Sequence, residues 1–361
     1  MNRIILIGNG FDLAHGLKTS YNDFIKGYWE KVKRRLIKKS YSSVCQYRYS
    51  SDNFDVFFFE NDDIKLILPL DFKDIPSDKP EFKNNFLKII TTKSTLKNWV
   101  DIEEEYYKLL QEIINKKIPD NKKNYINIKR LNIDFSHVKE ELAHYLIKET
   151  TKGIGGKAIE FVNNTINKNI NSTFEYSDFT QKWGDSHFGF ERPNYILFLN
   201  FNYSNTEDLY FKQSNVSSGK VETIHIHGEL KDIKNPIIFG YGDEIGKEYE
   251  EIENLNDNDF LENIKSIRYS NTCNYKRLLD FINSDEYQIF LFGHSCGLSD
   301  RTLLNTLFEH KNCVSIKPFY HKKEDGTDNY SNIVRNISRH FRDKAMMREK
   351  VVNKEYCKPL S

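Results

Sequence analysis

The sequence predicts an α/β protein organised around a parallel sheet, and three observations predict it. Five short runs, "RIILIGNG" (3–10), "YILFLNFN" (195–202), "ETIHIHGE" (222–229), "PIIFGYGD" (236–243) and "QIFLFGHS" (288–295), are mostly unbroken apolar stretches. That is the pattern of strands covered by helices on both faces. Segments with apolar residues at helical spacing lie between and after them. Finally, the run ends gather the residues with chemistry: Gly8-Asn9-Gly10, Asn200 to Asn202, His225 to Gly228, Gly240 to Asp243, and Gly293 to Ser295. Open α/β sheets bind ligands at the carboxyl ends of their strands.

Taken in order, the first run opens the chain and leads through glycines into a helix start. Residues 40–95 are aromatic and polar with little periodicity, whereas "LKNWVDIEEEYYKLLQEIINKK" (96–117) and "SHVKEELAHYLIKET" (136–150) carry helical spacing. A large, mainly helical insertion is therefore expected between the first strand and the second. The acidic stretch "EYEEIENLNDNDFLENIKSI" (248–267) reads as a smaller excursion with a solvated helical face. "YQIFLF" (287–292) reads as a buried strand, and "SDRTLLNTLFEH" (299–310) as a helix opened by a capping residue. "CVSIKPFY" (313–320) follows as one more strand. The last segment, 329–352, has the pattern of a docking helix, with Val334, Ile337, Phe341 and Ala345 inward and Arg335, Arg339, Arg342, Arg348 and Lys350 solvated.

Composition excludes several classes. Lys and Arg number 53 against 52 Asp and Glu, so no global field points to nucleic acid or a membrane surface. No apolar stretch reaches the roughly 18 to 20 residues of a membrane span, and "MNRIILIGNGFD" breaks off too soon for a signal peptide. A cytoplasmic location is the expectation. The five cysteines, Cys45, Cys273, Cys296, Cys313 and Cys357, form no C-x-x-C pair, which argues against a zinc ribbon and against structural disulfides.

Three motifs carry chemistry. The first is "IGNGFDLAHGLKTSYNDF" (7–24), a glycine-rich turn into a helix, where backbone amides favour an anion. It is not the dinucleotide fingerprint, because the third glycine is Gly16 and no acid ends a nearby second strand. A nucleotide-binding loop competes here with a tight turn that only packs, and Asp12 with a simple helix cap. The second is "FLFGHSCGLSD" (290–300), whose Gly293, Ser295 and Gly297 spell the G-x-S-x-G of a serine hydrolase. A triad would need an acid and a histidine in the 66 residues left after Ser295 (361 minus 295). The third is the pair His225 and His227, set on one strand face by alternation. It could ligate a metal, but a third ligand such as Asp243 or His294 is not demanded by the spacing, and no metal is expected.

The "GNGFDLAHGLKTSY" start, the "NWVDIEEEY" helix and "YQIFLFGHSCGLSDRTLL" closely resemble the AbiH family of phage abortive-infection proteins, over residues 4 to about 310. More distantly, the ordered strand ends resemble the sirtuin-like (DHS-like) NAD-binding fold. A sirtuin has G-A-G-x-S with a later G-I-P, then T-Q-N-x-D, then H-G, then a G-T-S loop. This chain has Gly8-Asn9-Gly10-Phe11-Asp12 with Gly16-Leu17, then Asn200-Phe201-Asn202-Tyr203-Ser204, then His227-Gly228, then Gly293-His294-Ser295. Asp12 and Ser204 depart from the pattern, and the sirtuin zinc module is missing.

The two resemblances imply a Rossmann-like parallel sheet formed by 1–38 with 190–345, an insertion over 39–189 and a tail over 346–361. They imply an antiphage effector that binds NAD as substrate and hydrolyses it to ADP-ribose and nicotinamide. Asn202 would orient the nicotinamide ribose and His227 would act as general base. Gly8, Asn9, Gly10, Phe11, Asp12, Gly16, Gly228, Gly293, His294 and Ser295 would hold the nucleotide. A phage-derived trigger is implied, and a homo-oligomer stays open. The rival readings are a nucleotide sensor without turnover and, behind it, a serine hydrolase using Ser295. Trp99, Asp101 and Glu103, with Glu104 and Glu105, either close over the nucleotide or anchor the insertion.

Overall fold

The computed structural model describes residues 1–40, 46–50, 54–59, 81–93, 99–115, 127–153, 166–180, 191–211 and 219–360. The chain forms two compact units. One comprises Met1–Lys18, Thr150–Gly246 and Ile264–Ser361, the other Thr19–Glu149 and Lys247–Asn263. In chain order the strands are β1 (Asn2–Ile7), β2 (Gln46–Ser50), β3 (Phe54–Phe59), β4 (Glu81–Phe82), β5 (Tyr195–Asn200), β6 (Lys220–His225), β7 (Tyr287–Phe292) and β8 (Cys313–Phe319).

The first unit is built on a five-stranded sheet in the order β6-β5-β1-β7-β8, with every neighbouring pair parallel. Alternation along the strands divides their side chains between two cores. Ile4, Leu6, Leu197, Leu199, Ile289 and Leu291 enter one, together with Leu278, Leu304 and Ile337 from the helices Asn274–Ser284, Arg301–Phe308 and Tyr330–His340. Ile5, Ile7, Ile196, Phe198, Phe290 and Phe292 enter the other, against Phe11, Ile166, Ile170 and Tyr210. Strands that are apolar on both faces are thus explained by a core on each side. The first strand lies at the centre. The chain adds β5 and β6 on one side of it, then returns to add β7 and β8 on the other, so the strand order reverses beside β1.

The expected strand over 236–243 is a correction. This segment forms an isolated bridge, Tyr241 to Ile264, and scattered backbone hydrogen bonds, from Ile238 N–H to His227 O at 2.7 Å, Lys265 N–H to Tyr241 O at 2.9 Å and Thr302 N–H to Gly242 O at 3.0 Å, but no strand ladder. Pro236 has no N–H to donate, and Gly240 and Gly242 favour bends over an extended ladder. The fifth strand is β8, the run 313–320.

The unit boundaries differ from those drawn on the sequence. Residues 150–189 include groups that close over Arg3, a fully buried arginine whose guanidinium donates to the carbonyls of Asn169, Ile170 and Ser172 at 3.0, 2.8 and 2.9 Å. A charge removed from water needs such partners. The final residues also join the sheet unit: Val352 N–H donates to Ile316 O at 3.0 Å and Leu360 N–H to Tyr320 O at 2.8 Å.

The second unit contains the helices Tyr21–Ser40, Asn85–Thr92, Trp99–Ile114 and Ile128–Thr150. It also holds an antiparallel sheet, β2-β3-β4, inside the stretch 40–95 that shows little periodicity. Asn84 caps its helix by accepting from Leu87 N–H at 2.7 Å. Phe86, Tyr106 and Phe135 pack edge to face and tilted around one another in the core. In the helix Trp99–Ile114, Glu105 is buried and ion-paired with Lys93, and Glu104 lies 3.9 Å from Lys108. These pairs give two of the acids anchoring partners within the unit; the Trp99 side chain lies outside the described ones. Among the described residues no helix is long and apolar enough to cross a membrane.

Candidate functional site

The ends of β1, β5, β6 and β7 bring Gly8, Gly10, Asn202, His227, Gly293 and His294 together within the first unit, whereas Gly16 and Ser295 are not brought to this cluster. After β1 the chain turns directly into the short helix Asn9–Ala14, and after β7 it turns at Gly293, which has φ +72°. The two turns are packed backbone to backbone. Gly8 N–H donates to Phe292 O at 3.1 Å and Gly10 N–H to Gly293 O at 2.8 Å. A Cβ on Gly293 would lie 2.1 Å from Phe11 N, one on Gly10 2.7 Å from Gly293 O, and one on Gly8 2.5 Å from His294 Cα. These glycines therefore serve a close approach between two loops. Gly16 has φ +78° with nothing near its absent Cβ, so it serves a left-handed turn. Gly228, at φ +85°, lets Pro236 pass, its Cβ position being 2.2 Å from Pro236 O.

Asp12 points into the protein, 2% exposed, and does not cap its helix. Its Oδ2 accepts from the Ser204 hydroxyl at 2.5 Å, and its Oδ1 has no hydrogen-bond partner. Burial pushes the carboxyl up to about 6, against the Ser204 hydroxyl and the nearby Thr206 and Asn202 side chains, which favour the charged form. The two residues that depart from the sirtuin pattern thus bond to each other. His15 meets Asp12 through the backbone, its N–H donating to Asp12 O at 3.1 Å, while its ring goes elsewhere: Nδ1 meets Phe11 O at 2.7 Å and Nε2 the Tyr210 hydroxyl, a structural role. Phe11 is buried beside Phe292, stacked at 6.4 Å.

At the end of β5, Asn202 donates from Nδ2 to Gly8 O at 3.0 Å, which ties the second strand end to the first. Asn200 Oδ1 accepts from Asn202 N–H at 2.8 Å, and Asn200 Nδ2 donates to Glu207 Oε2 at 2.7 Å. The Phe201 ring lies edge-on to His227, 4.9 Å away, and to His294, 4.4 Å away.

His225 and His227 go to different partners. The ring of His225 ends β6 and pairs through Nε2 with the fully buried Glu207 carboxylate at 2.8 Å. Burial disfavours its charge, but the Glu207 hydrogen bond and charge outweigh that, so His225 is raised. His227 follows in a turn. Its Nε2 is 3.2 Å from Asp300 Oδ1 and 3.2 Å from the Tyr269 hydroxyl, and its ring stacks on Tyr269. Burial and the Lys265 cation lower it more than Asp300 raises it. Among the described residues no group of three or more His, Cys, Asp or Glu side chains is arranged to hold a metal ion.

His294 is also buried. Its Nδ1 accepts from Cys296 N–H at 3.0 Å, and its Nε2 lies 3.7 Å from Asp300 Oδ2. Burial takes it down to about 4. Asp300 thus stands between two histidines, and Lys265, itself 1% exposed, donates to Asp300 Oδ1 at 2.7 Å. Burial alone would raise Asp300. The charge of Lys265, followed by His227 and His294, outweighs it and holds the carboxyl well below the usual range.

Ser295 is exposed, and among the described residues no hydrogen bond reaches its hydroxyl; its carbonyl accepts from Asn336 Nδ2 at 2.7 Å. The left-handed residues of this loop are Gly293 and Cys296, not Ser295. His340, the buried histidine later in the chain, bonds Cys296 O at 2.8 Å. The hydrolase spelling therefore lacks its geometry.

Sequence reasoning missed Asp300, Lys265, Glu207 and Tyr269. Asp300 was visible in "GHSCGLSD" but resembled a helix cap, and it does occupy the N-cap of Arg301–Phe308. Its side chain makes no capping bond. Lys265 sits in the acidic excursion assigned to solvent, and Glu207 and Tyr269 carry no local signal.

Comparison with the curated proteins and with the solved structures finds no match. A family model, Bacteriophage abortive infection AbiH, matches residues 4–321, which contain every strand end described above and Asp300. The chain belongs to the AbiH family of bacteriophage abortive infection.

Proposed function

We propose that this AbiH protein acts in abortive infection by binding NAD at the strand ends of its sheet unit and hydrolysing it to ADP-ribose and nicotinamide. The observation that carries the reading is convergence. Asn202, His227 and His294, from three strand ends, join Gly8 from a fourth through one hydrogen bond and the Phe201 ring. The strand order supports a Rossmann-like sheet: in chain order within this unit it is third, second, first, fourth, fifth, and such sheets bind nucleotides where the order reverses. The sirtuin-like assignment rests on the motif order and adds no support from comparison.

In the proposed reaction the bond from ribose C1′ to the pyridinium nitrogen breaks, and its electron pair neutralises the ring of the departing nicotinamide. Water adds at C1′, and the proton it sheds passes to His227. A histidine held below its ordinary value is neutral at pH 7, the form that can accept a proton. Asn202 would orient the ribose.

A second reading, nucleotide binding without turnover, is favoured by one observation. The Asn202 amide is already engaged with Gly8 O, and loop backbone fills the space beside Gly8, Gly10 and Gly293. The test is NAD content and phage yield in infected cells carrying wild type, His227→Ala or Asn202→Ala. Hydrolysis predicts a several-fold fall in NAD with the wild type and none with either variant. Suppressed phage yield at unchanged NAD would overturn hydrolysis and leave the binding reading.

A further inference from the structure

We infer that Asp300, set by Lys265 between His227 and His294, is the positioning residue of this site: it fixes the proton of His227 on Nε2. The inference rests on the proposed role of His227 as base. Its evidence is geometric.

Asp300 opens the helix Arg301–Phe308 at the position where an aspartate usually accepts from the backbone amides of the first turn. It makes no such bond. Its carboxylate is spent on side chains brought from three other segments. Oδ1 receives Lys265 Nζ at 2.7 Å and faces His227 Nε2 at 3.2 Å, while Oδ2 faces His294 Nε2 at 3.7 Å. An ionised carboxylate only accepts. The proton on the line between Oδ1 and Nε2 must therefore belong to His227, because a lone pair there would face a negative oxygen. Two groups compete: the Tyr269 hydroxyl, also 3.2 Å from Nε2, can donate to that nitrogen, and the Phe201 carbonyl, which hydrogen-bonds the His227 ring, draws the ring proton to itself.

His294 supplies an internal control. Its Nδ1 accepts from Cys296 N–H, so its proton sits on Nε2 whatever residue 300 is. A buried acid that orients a histidine determines which nitrogen does the chemistry, and replacing such an acid by its amide presents a donor and reverses the tautomer.

The experiment is imidazole nitrogen NMR on the full chain with histidine labelled by nitrogen-15 at pH 7.5, with His227→Gln to assign the signal. In the wild type, His227 is expected to carry its proton on Nε2. In Asp300→Asn its pyrrole-type and pyridine-type signals exchange, while those of His294 stay in place. Tyr269→Phe leaves His227 unchanged. A wild-type His227 protonated on Nδ1 would overturn the inference, as would an Asp300→Asn spectrum in which His227 does not change. The wild-type and Tyr269→Phe spectra decide the point even where Asp300→Asn does not fold. Nicotinamide release is measured on the same samples. The predicted tautomers without release refute the hydrolysis reading and still support the positioning of His227.

Discussion

At the residue scale the sheet unit keeps buried charges that a purely structural core would avoid. Asp12 is the clearest. Its rise from 3.8 to about 6 withholds, to order of magnitude, about 3 kcal/mol from the folded state when the carboxyl is ionised. The sign follows from a folded value above the unfolded one: the penalty is absent below the ordinary value, grows as pH rises through it, and is complete above about 6. Asp12→Asn should therefore raise the melting temperature at pH 7.5 and change it little at pH 3.5. Equal shifts at both pH values would contradict the account of Asp12. Asp300 behaves oppositely. Lys265 keeps it ionised, so Asp300→Ala removes the carboxylate facing a buried cation and should cost about 3–5 kcal/mol in denaturant unfolding at pH 7.5. A loss under 1 kcal/mol would mean that Lys265 finds water there. Ser295, whose hydroxyl has no hydrogen bond among the described residues, should not react with a fluorophosphonate probe; covalent labelling lost in Ser295→Ala would restore the hydrolase reading.

At the element scale, the packing of the two glycine loops makes a comparative prediction. Gly293→Ala forces both a left-handed backbone and a 2.1 Å approach to Phe11 N, whereas Gly16→Ala meets only the backbone cost. The second should lose about 1–2 kcal/mol, the first clearly more, read by urea unfolding. Equal losses would mean that the loops do not pack as described. The same scale shows what was legible. The strands β1, β5, β7 and β8 announced themselves because two-sided burial demands unbroken apolar runs; β6, KVETIH, is only partly buried over its first four residues and starts two residues before the run read from the sequence. The false strand at 236–243 has the same apolar content, but Pro236 and two glycines deny it a ladder. The small sheet β2-β3-β4 was missed because "QYRYS" is polar and "FDVFFF" too short for its period to be recognised. Within the site, Asn202, His227 and His294 were legible at strand ends. Asp300 and Lys265 were not, since only tertiary contact distinguishes a helix cap or a solvated lysine from a buried ion pair.

At the scale of the whole molecule, a nearly neutral chain carries the candidate site on the sheet unit, one of two compact units, and the family assignment sets the chain in phage abortive infection. The proposed hydrolysis links the two statements: a cell that loses NAD stops supporting phage. The most direct measurement is nicotinamide release from NAD by the purified full-length protein, with and without lysate of phage-infected cells, beside Asn202→Ala and His227→Ala. The account predicts release by the wild type in the presence of lysate and a loss of at least roughly 100-fold in His227→Ala, the scale of a general base. Release that persists undiminished in both variants, or no release by a wild-type protein that binds NAD, would contradict it.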